Sequence, residues 1–503
     1  MKKLIAATAA VGLLVTGFAV AAPAQAATKT LTIGVLQDQS GWDPGVLGNG
    51  NNSTFWQATY DTLFVLDEDG NVKPNLATKY AYDKTFTKLT LTIRTGVQFT
   101  DGTALDAKAV ATNLMHTKTG TGESAAFLTS VASAKALNKT TVLVTLSQPD
   151  PGLLLQLAVM SGTIASPKAI AAGTINTAPV GSGPYTLDEA NTVKGSRYTF
   201  VRNPKYWAKK QYPADTVVIK VMAGLTAMVN ALAAGEVDCG NVNDAKQVPP
   251  LLSKGLKVQQ FATSDTFALY LYDRGGSLFK PLGDVRVRQA LNYAIDRQTF
   301  WSKAALGIGY ATAQTFVKSG NAYVPSLDTY YAYNPTKAKQ LLADAGYPNG
   351  FEFVLPDVRA SFPTQAAALA EYFGAIGVKV TWKARPALAQ YLLDLQGAKW
   401  PAALMPLNAG APFTTVAKEV ETTGTWNMFK YQDAGMDALI KKARTTSGAA
   451  QVKVLRDINT KMVKDAWNVP LTGVISQFVY SNGIDIKFQP YMALPPLRWI
   501  DVQ

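Results

Sequence analysis

Side chains that carry catalysis or bind metals are scarce in this sequence. Its 503 residues include one histidine, His116, and one cysteine, Cys239. A lone histidine excludes two-histidine metal sites and leaves a Ser-His or Cys-His mechanism with one candidate base. Cys239 cannot form an internal disulfide, and its sequence context predicts a buried, unreactive thiol. These residue types therefore predict no catalytic residue, no metal site and no bound cofactor.

Three short segments are similar to the motifs of penicillin-binding enzymes, which acylate a serine. They are residues 277–280 (Ser-Leu-Phe-Lys), 480–482 (Tyr-Ser-Asn) and 118–120 (Lys-Thr-Gly). The Lys-Thr-Gly segment comes first here, whereas it follows the other two in those enzymes. Ser277 is also expected in a loop before Pro281. In those enzymes the serine and the lysine of this motif lie one helical turn apart on a helix. A secreted hydrolase is therefore the disfavoured alternative from another class of function.

The charged residues give the chain a net charge of +13, from 48 basic and 35 acidic side chains. Such an excess is compatible with a nucleic acid, an anionic membrane surface or an anionic ligand. The basic residues are dispersed, and no run is longer than pairs such as Lys209-Lys210. Nucleic-acid binding would need a clustered basic stripe, so we expect no nucleic-acid partner.

Residues 1–26 predict a secretory signal peptide. Two lysines precede an almost wholly apolar stretch at 4–20, and residues 24–26 (Ala-Gln-Ala) offer a cleavage site. An uncleaved anchor helix is the alternative, because the apolar run approaches the length that spans a bilayer. No cysteine lies near the cut. We therefore expect a periplasmic or extracellular protein that starts near Ala27 and is not a lipoprotein.

The elements that must position any site alternate irregularly between strands and helices. Period-two patterns predict strands at 31–35, 89–93 and 142–146. We find no internal repeat and no clean linker between domains. About 477 residues remain after the signal peptide, more than one core usually organises. The sequence predicts an α/β protein of two or three domains, whose chain crosses between lobes more than once.

Two helices are marked by residues that favour helix ends. Asn334 and Gly346 predict the start and the end of the first helix. Asp284 predicts the cap of a second helix at about 285–297. Arg288 in that helix is expected at the surface, where it would hold loops or partners.

Eight motifs, in order along the chain, resemble those of the extracellular solute-binding protein family 5. This family is the peptide, nickel-chelate and opine class that serves ABC importers. Any one motif is a weak signal, but the order and spacing of all eight are specific. The motifs stand at residues 60–63, 91–102, 181–185, 203–207, 233–238, 281–297, 333–351 and 374–380.

The resemblance implies a two-lobed, periplasmic-binding-protein-like α/β fold (type II, large cluster) with an extra subdomain in lobe I. By that analogy lobe I is discontinuous, and its subdomain and lobe II are insertions. The boundaries it implies are 28–75, 180–268 and 475–503 for lobe I, 76–179 for the subdomain and 269–474 for lobe II.

The resemblance also implies a function without catalysis. The chain would be the monomeric solute-binding component of an ABC importer, with a membrane permease as its partner. Hinge closure would bury a small organic solute, peptide-like or carboxylate-bearing, in the cleft between the lobes. The alternatives are a neutral oligosaccharide as ligand, or a ligand-sensing receptor domain.

The family also implies ligand-binding residues in lobe II. Arg359 resembles the arginine that clamps a ligand carboxylate, and Ser361 follows it. A surface ion pair between Arg359 and Asp357 is the alternative. Dipeptide-binding members hold the ligand's α-ammonium with an aspartate in a loop that corresponds to 404–412. That loop contains Asn408 but no carboxylate here, which predicts weak binding of free dipeptides.

Six other residues are weaker candidates for ligand binding. One group follows the first strand, where family members bring backbone to the ligand. The second group lies near the crossover into lobe II, except for Trp426, whose ring could stack on a ligand. The candidates are Gln39, Ser40 and Trp42 in the first group and Tyr272, Asp273 and Trp426 in the second.

Overall fold

The computed structural model describes residues 28–48, 50, 52–244, 246–386, 388–408 and 410–503. The predicted signal peptide, 1–26, lies outside these residues. No helix within the described ranges is long and apolar enough to cross a membrane.

A nine-stranded mixed sheet runs through the whole molecule. Its first strand, Thr30–Val35, pairs in parallel with two neighbours, and the other pairs are antiparallel. The strands follow one another across the sheet in the order Ala402–Asn408, Lys257–Leu271, Asn468–Tyr480, Cys239–Asn241, Thr30–Val35, Thr216–Val221, Arg197–Arg202 and Tyr185–Leu187, with Tyr310–Ala311 beside Asn468–Tyr480.

Two long antiparallel strands, Lys257–Leu271 and Asn468–Tyr480, connect two separate hydrophobic cores. Phe478 belongs to the core around the first strand of the chain, whereas Leu269 and Leu471 belong to another. The register between the two strands shifts between positions 262 and 266, where the chain passes from one core to the other. This is the two-lobed architecture that the sequence predicted. The exact boundaries of the lobes stay a prediction.

The first lobe carries a separate antiparallel sheet of four strands. Burial alternates along Lys88–Ile93 and Thr141–Leu146, which confirms two of the predicted period-two strands. The helix Ala107–Lys118 packs on this sheet, and its Asp106 cap accepts a hydrogen bond from the Ala109 N–H. In order across the sheet, the strands are Ala77–Tyr82, Lys88–Ile93, Thr141–Leu146 and Val131–Ala136.

Both predicted helix caps of the second lobe are confirmed. The Asn334 side chain accepts from the Lys337 N–H at the start of Pro335–Asp344, and Gly346 has a φ of 90°. The Asp284 side chain caps the other helix, which ends at Tyr293 rather than near Arg297. The predicted end was wrong because Asp296 caps a new short turn, Arg297–Thr299.

The expected position of Arg288 was wrong as well. Its side chain is buried, and its guanidinium donates to the carbonyl oxygens of Leu282, Asp465 and Ala466. Burial lowers the pKa of this guanidinium. Arg288 therefore holds the loop before its helix and the end of a distant helix together inside the lobe.

The remaining elements surround these sheets. The shorter strands are Phe64–Leu66 with Val72–Pro74, Phe351–Pro356 with Val378–Lys383, and Ile484–Ile486 with Ile500–Val502. The remaining α-helices are Ser53–Thr59, Glu123–Ala126, Leu153–Gln156, Pro167–Ala171, Leu225–Ala233, Val248–Leu252, Pro363–Gly374, Leu388–Gln396, Pro412–Thr415, Ala434–Arg444 and Gly448–Lys464. Two π-helical turns, Phe300–Ala304 and Val416–Val420, extend Arg297–Thr299 and Pro412–Thr415.

One buried carboxylate, Asp61, connects three of the motifs found in the sequence. It accepts hydrogen bonds from the Tyr206 hydroxyl at 2.9 Å, the Ser182 hydroxyl at 2.9 Å and the Trp207 indole N–H at 3.0 Å. Gly183 lies so close to the Thr59 backbone that an added Cβ would be 2.4 Å from its carbonyl carbon. These three motifs therefore contact one another and stabilise the first lobe.

Candidate ligand-binding cleft

A cavity of about 350 Å³ lies where the two lobes face each other. The helices Glu123–Ala126 and Leu153–Gln156 and the segment 491–493 contribute residues from the first lobe. The segment 410–418 contributes residues from the second lobe, and Asp265 of a crossing strand completes the lining. A small organic molecule fits a cavity of this size.

Direct contacts connect the two lobes beside this cavity and its neighbour. The Gln156 side-chain amide donates to the Thr414 hydroxyl at 3.0 Å. Arg444 donates to the Pro149 carbonyl oxygen at 2.7 Å, and an ion pair of 2.6 Å with Glu421 orients its guanidinium. Both contacts join segments that are more than 250 residues apart in the chain.

Two further cavities adjoin the helix Pro412–Thr415, and Thr414 lines all three. One has about 620 Å³ and lies towards the helix Gly448–Lys464. The other has about 340 Å³ and lies towards Asp150 and Arg444. At Gly152 an added Cβ would be 2.8 Å from the Phe413 ring, so glycine permits this close contact between two lining residues.

The 350 Å³ cavity combines charged groups with apolar surface. Glu123, Asp265 and Lys418 are the charged residues of its lining, and Phe127 and Met160 are among the apolar ones. The Lys418 ammonium lies 5.3 Å from the centre of the Phe127 ring, a cation–π distance. The lining therefore suits an organic solute with both polar and apolar parts.

The structure places Gln39, Ser40 and Trp42 away from this cavity. The Trp42 ring is buried against Phe200, with 6.1 Å between the ring centres, and the Ser40 hydroxyl donates to the Val46 carbonyl oxygen. Gln39 and Ser40 line a narrow crevice of the first lobe instead. These contacts account for Trp42 as a core residue, and a binding role for the three residues stays a prediction.

Tyr272, Asp273 and Trp426 lie together inside the second lobe. The Tyr272 and Trp426 rings stack, with 6.3 Å between their centres. The Asp273 carboxylate is fully buried and accepts hydrogen bonds of 2.6–2.8 Å from the backbone N–H groups of 277–279. These contacts support a role for Asp273 in holding its loop, and none of the three residues lines a described cavity.

Arg359 and Ser361 lie in a loop of the second lobe, whereas Asn408 is the last residue of a strand, so the expected loop 404–412 is a strand as far as Asn408. Arg359 and Ser361 lie in the loop after Phe351–Pro356, and Ser361 is exposed. Arg359 forms an ion pair of 2.7 Å with Asp357, and 58% of its side chain is exposed. Asn408 ends the strand Ala402–Asn408 near the cavity, but its side chain lies outside the described part of the structure. The contacts of Arg359 match the surface ion pair, and the carboxylate clamp stays a prediction.

Replacing Arg359 by alanine distinguishes these two roles. A buried clamp would weaken ligand binding by about thirtyfold to several thousandfold, because the ligand's carboxylate would be left without a partner. For the exposed pair seen here we expect a change below fivefold, since such pairs contribute about 1 kcal/mol or less. Calorimetric titration with a bound peptide measures the difference. Arg286→Ala is the matched control, because Arg286 forms a similar exposed pair with Asp284.

Sequence reasoning missed the residues that form the cavity. Glu123, Gln156, Asp265, Thr414 and Lys418 stand in no motif that we could identify from one sequence. Only the tertiary structure brings them together.

Two lobes joined by crossing strands, with a cavity between them, define the class of the type II periplasmic binding proteins. The model of the bacterial extracellular solute-binding proteins, family 5, middle region, matches residues 71–417. The chain belongs to this family, as its motifs predicted. Family 5 proteins bind small ligands and work with the permeases of ABC importers.

One relative by sequence and two solved structures are similar to this chain. The chain is similar to the glutathione-binding protein GsiB of Escherichia coli K12, with 30% identity over 354 residues, 68% of this chain and 67% of GsiB. In fold it is similar to HbpA2 from Haemophilus parasuis, with a TM-score of 0.83 at 20% identity over 94% of this chain and 100% of that chain. DppA from Helicobacter pylori, solved with the peptide STSA, has a TM-score of 0.70 at 20% identity over 94% of this chain and 98% of that chain.

Proposed function

We propose that this chain is the exported component of an ABC importer and binds a peptide-like solute in the 350 Å³ cavity between its lobes. The observation that carries the proposal is that both lobes and a crossing strand line this one cavity. A solute held there would contact both lobes and stabilise the closed arrangement. GsiB is a glutathione-binding protein by name, and DppA was solved with a peptide, which supports a peptide-like solute.

The lining of the cavity favours this solute over a neutral oligosaccharide. Three charged side chains around a volume of about 350 Å³ would lose hydration on binding, and a neutral sugar offers them no opposite charge. A solute that carries its own charges replaces the lost hydration with ion pairs.

Two contacts support a function without catalysis. The only histidine, His116, contacts the Asp43 carboxylate at 2.7 Å, and neither residue lines a described cavity. Ser277, which the hydrolase alternative needs as nucleophile, donates its hydroxyl to Asp273 at 2.8 Å. A ligand-sensing receptor would use the same binding step. Whether the gene for this chain lies beside genes for a permease would distinguish uptake from sensing.

A thermal-shift screen on the exported protein tests the proposal. The panel contains glutathione, di- to tetrapeptides, maltotriose, an opine and a nickel chelate. We expect peptides to raise the melting temperature, because a ligand at a hundredfold excess over its Kd stabilises the native state by about 2.7 kcal/mol. Fluorescence of the nine tryptophans provides a second readout of binding. Stabilisation by maltotriose alone would contradict a peptide-like solute.

Two glutamine variants then locate the site. Gln156 lines the adjoining cavities of about 350 Å³ and 340 Å³, whereas Gln451 lines the cavity of about 620 Å³. We expect Gln156→Leu to weaken peptide binding by about five- to a hundredfold, because it removes hydrogen bonds at the cavity. Gln451→Leu should leave binding unchanged. Weaker binding in Gln451→Leu and unchanged binding in Gln156→Leu would instead place the ligand in the cavity of about 620 Å³.

A further inference from the structure

No element of the described chain covers one face of the four-stranded sheet in the first lobe. Leu89, Leu91 and Val144 of its central strands belong to the hydrophobic core, where the helix Ala107–Lys118 packs on the sheet. Because successive side chains of a strand point to opposite sides, the positions between these residues form the outer face of the sheet. Every residue at the outer positions is exposed or half-buried, and none of them lines a described cavity. This face is therefore available to a partner.

The pairing of the strands spreads lysines over this outer face. Lys79 and Lys135 stand on the two edge strands, and Lys88 stands on a central strand. The residues opposite Lys79 and Lys88, which are Thr92 and Thr145, are outer residues too. Neighbouring strands lie about 4.8 Å apart, so the two edge strands are about 15 Å apart. The three lysines therefore carry positive charge across the whole width of the sheet.

The turns at the two ends of the sheet add Lys84 and Lys139. We call the outer face with these five lysines the lysine face. Residues 77–93 and 131–146, which form the sheet and its turns, contain one acid, Asp83. Its carboxylate accepts hydrogen bonds from the Thr85 hydroxyl at 2.6 Å and from the backbone N–H groups of 87 and 88.

The charge of the lysine face is not compensated by ion pairs. All five lysines are exposed, and none of them forms an ion pair within the described residues. A broad surface that carries one sign of charge attracts partners of the opposite sign. The lysine face is therefore complementary in charge to an extended anionic surface.

An exposed apolar side chain favours a lipid surface over a nucleic acid. Leu137, in the turn between Lys135 and Lys139, is 59% exposed. Leucine beside lysines suits the boundary between charged headgroups and acyl chains, because both kinds of side chain find a partner there. A single-stranded nucleic acid is held by stacking on aromatic rings, and the outer positions of the four described strands contain none.

We propose that the lysine face docks this protein on a membrane that contains anionic phospholipids, with Leu137 at the level of the headgroups. The proposal goes beyond solute binding and gives a role to the excess of 48 basic over 35 acidic residues. Family 5 proteins work with membrane permeases. Docking would raise the concentration of the protein beside its permease. It would leave the 350 Å³ cavity free, because no lysine of the face lines it.

Co-sedimentation of the full exported protein with vesicles tests the proposal. Vesicles of phosphatidylcholine alone are compared with vesicles that contain about one third phosphatidylglycerol. We expect the anionic vesicles to bind about a hundredfold more tightly or better, because each lysine near such a surface contributes about fivefold in affinity. At about 1 M salt the Debye length falls to about 3 Å, and the preference should disappear. Equal binding to both kinds of vesicle at low salt would overturn the proposal.

A triple variant then locates the surface. Lys79→Gln, Lys88→Gln and Lys135→Gln, combined in one protein, should weaken binding to anionic vesicles by about a hundredfold. The matched control removes the same charge from the second lobe and should change binding less than threefold. It replaces by glutamine three exposed lysines that form no ion pair within the described residues, which are Lys303, Lys339 and Lys379. Equal losses in the two triple variants would assign vesicle binding to the net charge and overturn the role of the lysine face.

Leu137→Ser distinguishes a membrane from a nucleic acid. We expect this variant to weaken binding to anionic vesicles by about tenfold, because it removes the apolar side chain that enters the headgroup region. A short DNA duplex at the same salt concentration is the comparison. If the duplex binds the native protein as tightly as the vesicles do and Leu137→Ser has no effect on either, the partner is a nucleic acid and the proposal is wrong.

The thermal-shift screen separates this proposal from the proposed function. A peptide that stabilises the native protein should stabilise the triple variant of the lysine face equally, because these lysines lie outside every described cavity. Loss of peptide binding in this variant would show that the substitutions disturb the whole lobe and would overturn the assignment. The native protein still answers through its preference for anionic vesicles and the effect of salt.

Discussion

Replacing Asp61 by alanine is expected to lower the free energy of unfolding by about 3–5 kcal/mol. The side chain is 3% exposed, and it accepts hydrogen bonds from Ser182, Tyr206 and Trp207. Alanine leaves these donors buried without an acceptor, and an indole N–H cannot reorient to find another. Urea unfolding followed by tryptophan fluorescence measures the loss.

Asp61→Asn is the matched control for shape. An amide oxygen in place of one carboxylate oxygen can still accept from Trp207 and Ser182, while the amide N–H₂ donates to the Tyr206 hydroxyl. We therefore expect Asp61→Asn to retain most of the stability that Asp61→Ala loses. Equal losses in the two variants would show that the hydrogen bonds of Asp61 are not the cause.

Asp61 also gives the stability a defined dependence on pH. Burial raises the pKa of its carboxyl from 3.8 to about 6, although its hydrogen bonds act in the opposite direction. Because the folded state holds this proton more tightly, the contribution is fully present below pH 4 and is lost as the pH rises through 6. Relative to Asp61→Asn, the native protein should lose about 2 kcal/mol of stability between pH 4 and pH 7. A difference that does not change with pH would contradict the raised pKa.

A second large effect is expected at Glu419, which lies beside Lys418 in the segment that closes the cleft. Its side chain is 4% exposed, and neither carboxylate oxygen has a hydrogen-bond partner within the described residues. Burial raises the pKa of this carboxyl from 4.5 to about 8, while the nearby cations Arg274 and Lys418 oppose the shift. Burial, and to a lesser extent the charge of Glu419, raises the pKa of the Tyr270 and Tyr272 hydroxyls.

The stability contributed by protonated Glu419 is fully present below about pH 4.5 and is lost as the pH rises through 8. Over this whole interval, the raised pKa lowers the free energy of unfolding of the native protein by about 4–5 kcal/mol. Glu419→Gln removes the titration, so relative to native protein this variant should gain about 4 kcal/mol of stability between pH 5 and pH 9. Chemical unfolding at both pH values measures the gain.

Glu421→Gln is the control on the same segment. Glu421 forms an ion pair of 2.6 Å with Arg444, and this pair supports the contact of Arg444 with Pro149. Loss of the carboxylate charge should therefore destabilise the protein instead of stabilising it at high pH. A Glu419→Gln variant that loses stability at pH 9 would show that the charge of Glu419 is compensated in the folded protein.

Local sequence patterns were sufficient for much of the fold. Alternation of apolar residues located strands such as Lys88–Ile93, and the side chains of Asp284 and Asn334 located helix starts. These features depend on residues within three or four positions of one another, which is why one sequence reveals them. The family motifs added the two-lobed architecture, and Asp61 supplies the physical reason for three of them.

Contacts between distant segments decided the rest. Sequence reasoning predicted Arg288 at the surface, but its side chain is buried between a loop and the end of a distant helix. Its guanidinium donates hydrogen bonds to backbone carbonyl groups of both segments. Likewise, Glu123, Asp265 and Lys418 share a cavity only because two crossing strands set how the lobes face each other. Sequence alone determined the class of protein and its local elements. The tertiary structure decided which charges line the cleft, since pairing between lobes leaves no periodic pattern in a single chain.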